Sequence, residues 1–236
     1  MYGYGYGYYG LDWTYVLLII GMLLSLAAST RLKSTFSYYR RIRSASGLTG
    51  AETAERILRA AGITDVHVRA ISGSLTDHYD PRTKTVSLSE DIYDKTSLAA
   101  VGVAAHECGH AIQHAIGYAP LEFRSAIVPV ANFGSTLSWP LFLIGLFSGI
   151  RPLVTAGIVL FSLAVLFQLV TLPVEINASS RALKMLQSTG ILGSDETKGA
   201  RKVLTAAAMT YVAALAASIL QLLRLLILAG GRRRDD

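Results

Sequence analysis

Hydrophobic and polar positions divide this chain into long uncharged runs separated by polar stretches. Trp13–Ala28, Ala126–Ile150, Leu153–Val174 and Val203–Leu223 contain no Lys, Arg, Asp or Glu. A helix needs roughly 20 apolar residues to cross a bilayer. The last three runs reach that length, and the first does so once Leu11 and its flanks are counted. The pattern predicts a membrane protein, mainly α-helical, with about four transmembrane helices. Two of the runs are joined only by the short "SGIRP", which predicts a transmembrane hairpin.

The polar stretch after the first run carries other periodicities. Thr49 with Glu52 three residues later is a capping-box signal. Ala54, Ile57, Leu58 and Ala61 follow helical spacing, and Gly62 stops the helix. "VHVRAIS" and "TVSLS" each alternate as strands do, on either side of a turn around Pro81, which predicts a two-stranded hairpin. A further helix is expected from about Thr96 to Gly117 or Pro120. Together these elements predict a small α+β extramembrane unit completed by the membrane helices.

Composition sharpens the class. Hydrophobic residues make up 52% of the 236 residues and charged residues 16%, against about a quarter charged in soluble domains. The net charge is +6, and Arg31, Lys33, Arg40, Arg41 and Arg43 crowd behind the first run. The positive-inside rule then puts residue 31 onward in the cytoplasm and the N-terminus outside. This basic balance reads as attraction to a membrane surface, with no nucleic-acid motif. No Lys or Arg precedes the first run, so it lacks the basic start of a cleavable signal peptide. A fourth span would carry "GGRRRDD" outside, against the same rule; either the early cluster dominates or the last helix does not fully cross. The single Cys108 excludes an intrachain disulfide framework.

The candidate chemistry lies in "AAHECGHAIQHAIG", which holds His106, His110 and His114. "HECGH" is H-E-x-x-H inside an Ala-rich helical segment. Residues four apart share a helix face, so His106 and His110 can converge on one Zn2+. Glu107, one residue round the helix, is suited to act as general base on a zinc-activated water. His114 lies about 12 Å along the axis from His106, too far to share a metal through Zn–N bonds of about 2.1 Å. It is expected to be a helix-face residue with a local hydrogen bond. A third ligand is needed, and Glu175 is the better candidate because two spans return the chain to the side of the zinc helix. Glu122, Asp195 and Glu196 are the fallback ligands. Cys108 points away from the ligand face and reads as a small buried side chain.

"GSLTDHYDP", "LAAVGVAAHECGHAIQHA" and "EINASSRAL" together resemble the YugP-like neutral zinc metallopeptidases, membrane proteases of bacteria. The resemblance implies zinc ligands at His106, His110 and Glu175, with Glu107 as catalytic base. A looser similarity is to heat-shock-induced membrane zincins, whose Glu is often followed four residues later by an acidic residue that orients a ligand; here that position is Ser179. His78 and Tyr79 are candidates for oxyanion stabilisation or substrate contact. Asn177 and Arg181, which follow Glu175 on an expected helix, are candidate supports or substrate contacts, although Arg181 does not share the Glu175 face.

The expected layout is a Tyr/Gly-rich tail over 1–10, a span over 11–30, a basic juxtamembrane segment and zincin-like unit over 31–125, and a transmembrane hairpin over 126–174. A Glu-ligand segment over 175–202, a fourth hydrophobic helix over 203–229 and a charged tail over 230–236 complete it. The expected function is an integral-membrane, multi-pass zinc metallopeptidase of protein or peptide substrates, with its site at the cytoplasmic membrane surface. The expected type is an endopeptidase. The rivals are a non-proteolytic membrane scaffold with a vestigial metal site and an intramembrane-cleaving protease. Polar and charged positions between His106 and the next apolar run (Gln113, Glu122, Arg124) favour a surface site. Oligomeric state is left open.

Overall fold

A computed structural model describes residues 12–231; the tail expected over 1–10, and the charged tail beyond residue 231, lie outside the described residues. Six helices and three strands follow in the order α1 (Tyr15–Tyr39), α2 (Gly50–Ala60), β1 (His67–Ile71), β2 (His78–Asp80), β3 (Thr85–Ser89), α3 (Leu98–Ala115), α4 (Ala119–Ser148), α5 (Arg151–Ser188) and α6 (Ser194–Gly231). Four of them, α1, α4, α5 and α6, are long and apolar enough to cross a membrane. Their outer faces expose large apolar side chains such as Ile19, Met22, Leu23, Phe133 and Leu169. In water that surface would be costly; in lipid it needs no cover.

The helices extend past the apolar runs. α1 continues through Arg31 and Lys33 to Tyr39. α5 is 38 residues long and carries Glu175 on the same continuous helix as the span before it. α4 and α5 pack against each other, the chain turning between them at Gly149 with φ 73. α1 and α6 pack as a second pair, with α5 against α6.

The extramembrane unit starts as the sequence predicts. Thr49 and Glu52 form the capping box at α2, and Gly62 turns the chain out with φ 71. Ala54, Ile57 and Leu58 are buried.

The strands differ from expectation. β1 and β3 are not a hairpin; they pair parallel, with His67 opposite Thr85. The hairpin partner of β3 is β2, formed by the "HYD" that reads as a turn in sequence. Alternation has period two in parallel and antiparallel ladders alike, so it carries no information on direction. Local chemistry decides it. Asp80 accepts hydrogen bonds from the Arg82 N–H and the Thr83 hydroxyl, closing a tight turn that sends the chain straight back along β2. Asp77 accepts from the backbone N–H and hydroxyl of Ser89, pinning the open end of that hairpin.

The core gathers around α3. Ser97 caps it by accepting from the Ala100 N–H, and Ala99, Ala100, Val101, Ala104, Ala105 and Cys108 are fully buried. Small residues let α3 approach its neighbours closely. Gly109 is the limiting case: a Cβ there would lie 2.4 Å from the Ala178 carbonyl oxygen of α5. That contact brings the H-E-x-x-H helix beside Glu175.

Candidate metal centre

His106 and His110 project from one face of α3, their rings T-shaped with centroids 4.8 Å apart. Glu175 of α5 meets them: its Oε2 is 3.3 Å from His106 Nε2 and 3.5 Å from His110 Nε2. All three ligand atoms lie within 4.8 Å of one another. Two imidazole nitrogens and one carboxylate oxygen form a donor set that zinc takes in catalytic sites, where it keeps a fourth position open.

A test of fit is whether the imidazoles present lone pairs to a metal, and the hydrogen bonds behind them answer it. Gln113 is fully buried. Its amide nitrogen donates to the Val174 carbonyl at 2.8 Å and to Asn177 Oδ1 at 3.0 Å. A backbone carbonyl can only accept, so the orientation of the Gln113 amide is determined. Its oxygen therefore faces His110 Nδ1 at 3.0 Å and must receive a proton from it. With Nδ1 protonated, a neutral His110 has its Nε2 lone pair free toward Glu175. His106 Nδ1 is likewise 3.1 Å from Ser179 Oγ, which can accept its proton. The residues fit a zinc ion.

Support of this kind tunes metal affinity by roughly 10–100-fold. Gln113→Leu keeps the volume and removes the acceptor. It is expected to lower zinc affinity by about that factor, read by competition with a fluorescent chelator, while His114→Ala leaves it unchanged.

Glu107 is 7% exposed and lines a cavity of about 190 Å³ together with His106, Glu175, Ser179, Asp77 and Tyr211. Burial pushes its carboxyl up from the usual carboxylate range. That direction suits a proton acceptor working near neutrality.

The other sequence candidates lie elsewhere. His114 Nδ1 bonds the Tyr79 hydroxyl at 2.9 Å, outside the metal cluster. His78 is exposed and its ring bonds the Thr76 carbonyl. Neither His78 nor Tyr79 lines the cavity. Arg181 donates to Asn177 Oδ1 at 2.7 Å, so these two extend the chain of hydrogen bonds behind Gln113 and His110. Of the fallback carboxylates, Glu196 accepts from the Ala45 N–H and Asp195 from Lys198; Glu122 is also outside the cluster. Burial pushes the Cys108 thiol up and keeps it protonated, and it donates to the Ala54 carbonyl.

Two contributors were not recognised from sequence. Gln113 lies three residues after His110, a spacing that shares a helix face and could have flagged it. Tyr211 sits in the apolar run of α6 and lines the same cavity as Glu175; nothing local distinguishes it from a lipid-facing tyrosine.

Residues 14–230 match the family described as "Putative neutral zinc metallopeptidase". The chain belongs to this family. It is also 49% identical, over 92% of its length and 96% of the relative's, to "Putative membrane protease YugP" of Bacillus subtilis (strain 168). No solved structure matches it. The family's metal is zinc, and among the described residues the one group able to hold it is His106, His110 and Glu175. The chain is thus a membrane protein of a zinc peptidase family.

Proposed function

We propose that this chain is a multi-pass membrane endopeptidase that cleaves extended protein segments at the cytoplasmic surface of the bilayer. One observation carries the reading: His106 and Glu175 of the His106–His110–Glu175 cluster line one cavity together with the buried Glu107. That cavity also meets Leu32 and Phe36 of α1 and Val203 and Leu204 of α6. That lining supports a site at the end of the spans where the basic residues 31–43 emerge, the end that the positive-inside rule assigns to the cytoplasm.

When bound, zinc supplies Lewis-acid polarisation of the scissile carbonyl and lowers the pKa of the attacking water. The protein does the rest. Ser179 and Gln113 hold the Nδ1 protons of His106 and His110, so both rings keep Nε2 toward the centre. Glu107 takes the proton that water loses as its oxygen attacks the carbonyl carbon, then delivers it to the departing amine nitrogen as the C–N bond breaks. Tyr211, lining the same cavity, donates its hydroxyl to the developing oxyanion, a role the sequence suggested for His78 and Tyr79. Asn177 and Arg181 are supports behind the ligands, without substrate contact.

The lining supports an endopeptidase. Among the described residues it holds no Lys or Arg to grip a C-terminal carboxylate. Its Asp77 carboxylate already accepts from the Ser89 N–H and hydroxyl, which disfavours its use as a grip for an N-terminal ammonium.

Purified protein in a bilayer is expected to retain one zinc and to cut an unstructured reporter chain internally, with loss on chelation and recovery on zinc addition. A protein that keeps zinc and leaves the reporter intact is the non-proteolytic scaffold. Tyr211→Phe should retain zinc and lower kcat by about 10²–10³. An unchanged kcat would remove Tyr211 from the reaction.

A further inference from the structure

A second cavity lies between α1 and α6, on the opposite side of this helix pair from the metal centre. Its volume is about 420 Å³, within the usual range for small-ligand sites. Three cations line it, Arg31 from α1 and Arg201 and Lys202 from α6, and no carboxylate does. Among the described residues, the ion pairs involve other cations: Arg40 with Asp91, Lys84 with Asp65 and Lys198 with Asp195. Thr35 and Thr205 add hydroxyls to the lining, and Met209 adds an apolar wall.

The depth of this cavity identifies its ligand. Gly21 of α1 packs on Ala217 of α6, and Gly199 of α6 on Tyr39 of α1. As one helix ascends the other descends, so the pair is antiparallel and the two polarity boundaries can be compared. Arg31 is the first charge after the apolar run of α1, and Lys202 is the last before the apolar run of α6. All three cations therefore gather where hydrocarbon gives way to headgroups. Met209, exposed and seven residues beyond Lys202 on the same face, continues the cavity toward the hydrocarbon. A soluble anion would use the cationic end only. A phospholipid uses both ends, its phosphate among the cations and its glycerol and upper acyl chain along Met209.

We propose that this cavity binds the phosphate of an anionic phospholipid from the leaflet at that end of the spans. Phosphate oxygens meet the Arg31 and Arg201 guanidinium groups in the paired geometry that suits them, with Lys202 as a point charge. The lipid would also brace the α1–α6 pair whose other side, through Phe36, Val203 and Ala207, walls the metal cavity. The binding site stands whether or not the protein is a peptidase.

The test uses the full-length protein in neutral detergent, titrated with phosphatidylglycerol or phosphatidylcholine and read by native mass spectrometry. Wild type is expected to retain one phosphatidylglycerol and no phosphatidylcholine. Each charge removed should weaken retention by about fivefold, so Arg31→Gln/Arg201→Gln/Lys202→Gln should lose roughly 100-fold. Arg41→Gln/Arg43→Gln, on the same basic surface but outside the cavity, should change little. Zinc content and melting temperature report whether the triple variant folds. If it does not, Arg201→Gln alone decides, with Arg201→Lys expected to recover the charge-dependent part of binding and fall short of wild type. Equal retention of the two lipids, or equal loss in the Arg41/Arg43 variant, would overturn the site. Displacement of the lipid by millimolar inorganic phosphate would overturn the lipid as its source and leave a soluble phosphate.

Discussion

Glu107→Gln is expected to leave zinc bound and to lower kcat for the reporter by about 10²–10⁴. Gln matches Glu in volume and keeps a polar head in the cavity, so the packing of α3 is undisturbed. It cannot accept the proton of the attacking water or return one to the amine. Glu107 has no part in the His106–His110–Glu175 cluster, so metal content should stay near one per chain. Measured together, zinc content and single-turnover cleavage separate this outcome from unfolding, which would remove both. Undiminished cleavage would eliminate Glu107 as the base.

Glu175→Ala is expected to do the opposite and lose the metal. The variant keeps two imidazoles four residues apart on α3 but removes the carboxylate that closes the set. The loss of zinc affinity should exceed the roughly 10–100-fold expected for losing an outer hydrogen bond such as that of Gln113. The helix itself should survive, because Val174, Ala178 and Ala182 still bury their side chains along α5. His114→Ala provides the contrast: it breaks only a bond to Tyr79 and should retain zinc. Metal analysis of the two variants after dialysis decides the assignment. If Glu175→Ala keeps its zinc and His114→Ala loses it, the ligand set is wrong.

These two variants also mark where the site could be read in the chain. Glu107, His106 and His110 lie within five residues, and helix geometry alone sorts them into a ligand pair and a neighbour. Glu175 could be nominated only through topology, since a hairpin of two spans returns the chain to its starting side. The distances from Glu175 to the imidazoles depend on Gly109, whose missing side chain lets α3 reach the Ala178 backbone. Ser179 reads in sequence as the absence of an acidic residue; in the fold its hydroxyl backs His106. Gln113 carried a usable signal in its spacing from His110. Tyr211 carried none.

By itself the sequence determined what depends on near neighbours and on solvent: four apolar spans, the capping box at Thr49 and Glu52, the arrest at Gly62, and the face shared by His106 and His110. Each follows from a period of 3.6, a local hydrogen bond or the length of an uncharged run. Only the tertiary structure decided what depends on partners distant in the chain. It made β1 a parallel neighbour of β3, brought Glu175 to the histidines, oriented the Gln113 amide through the Val174 carbonyl, and closed a cationic cavity between α1 and α6. Periodicity encodes which face of an element is buried. It does not encode against what, and that is set by close packing of the whole chain.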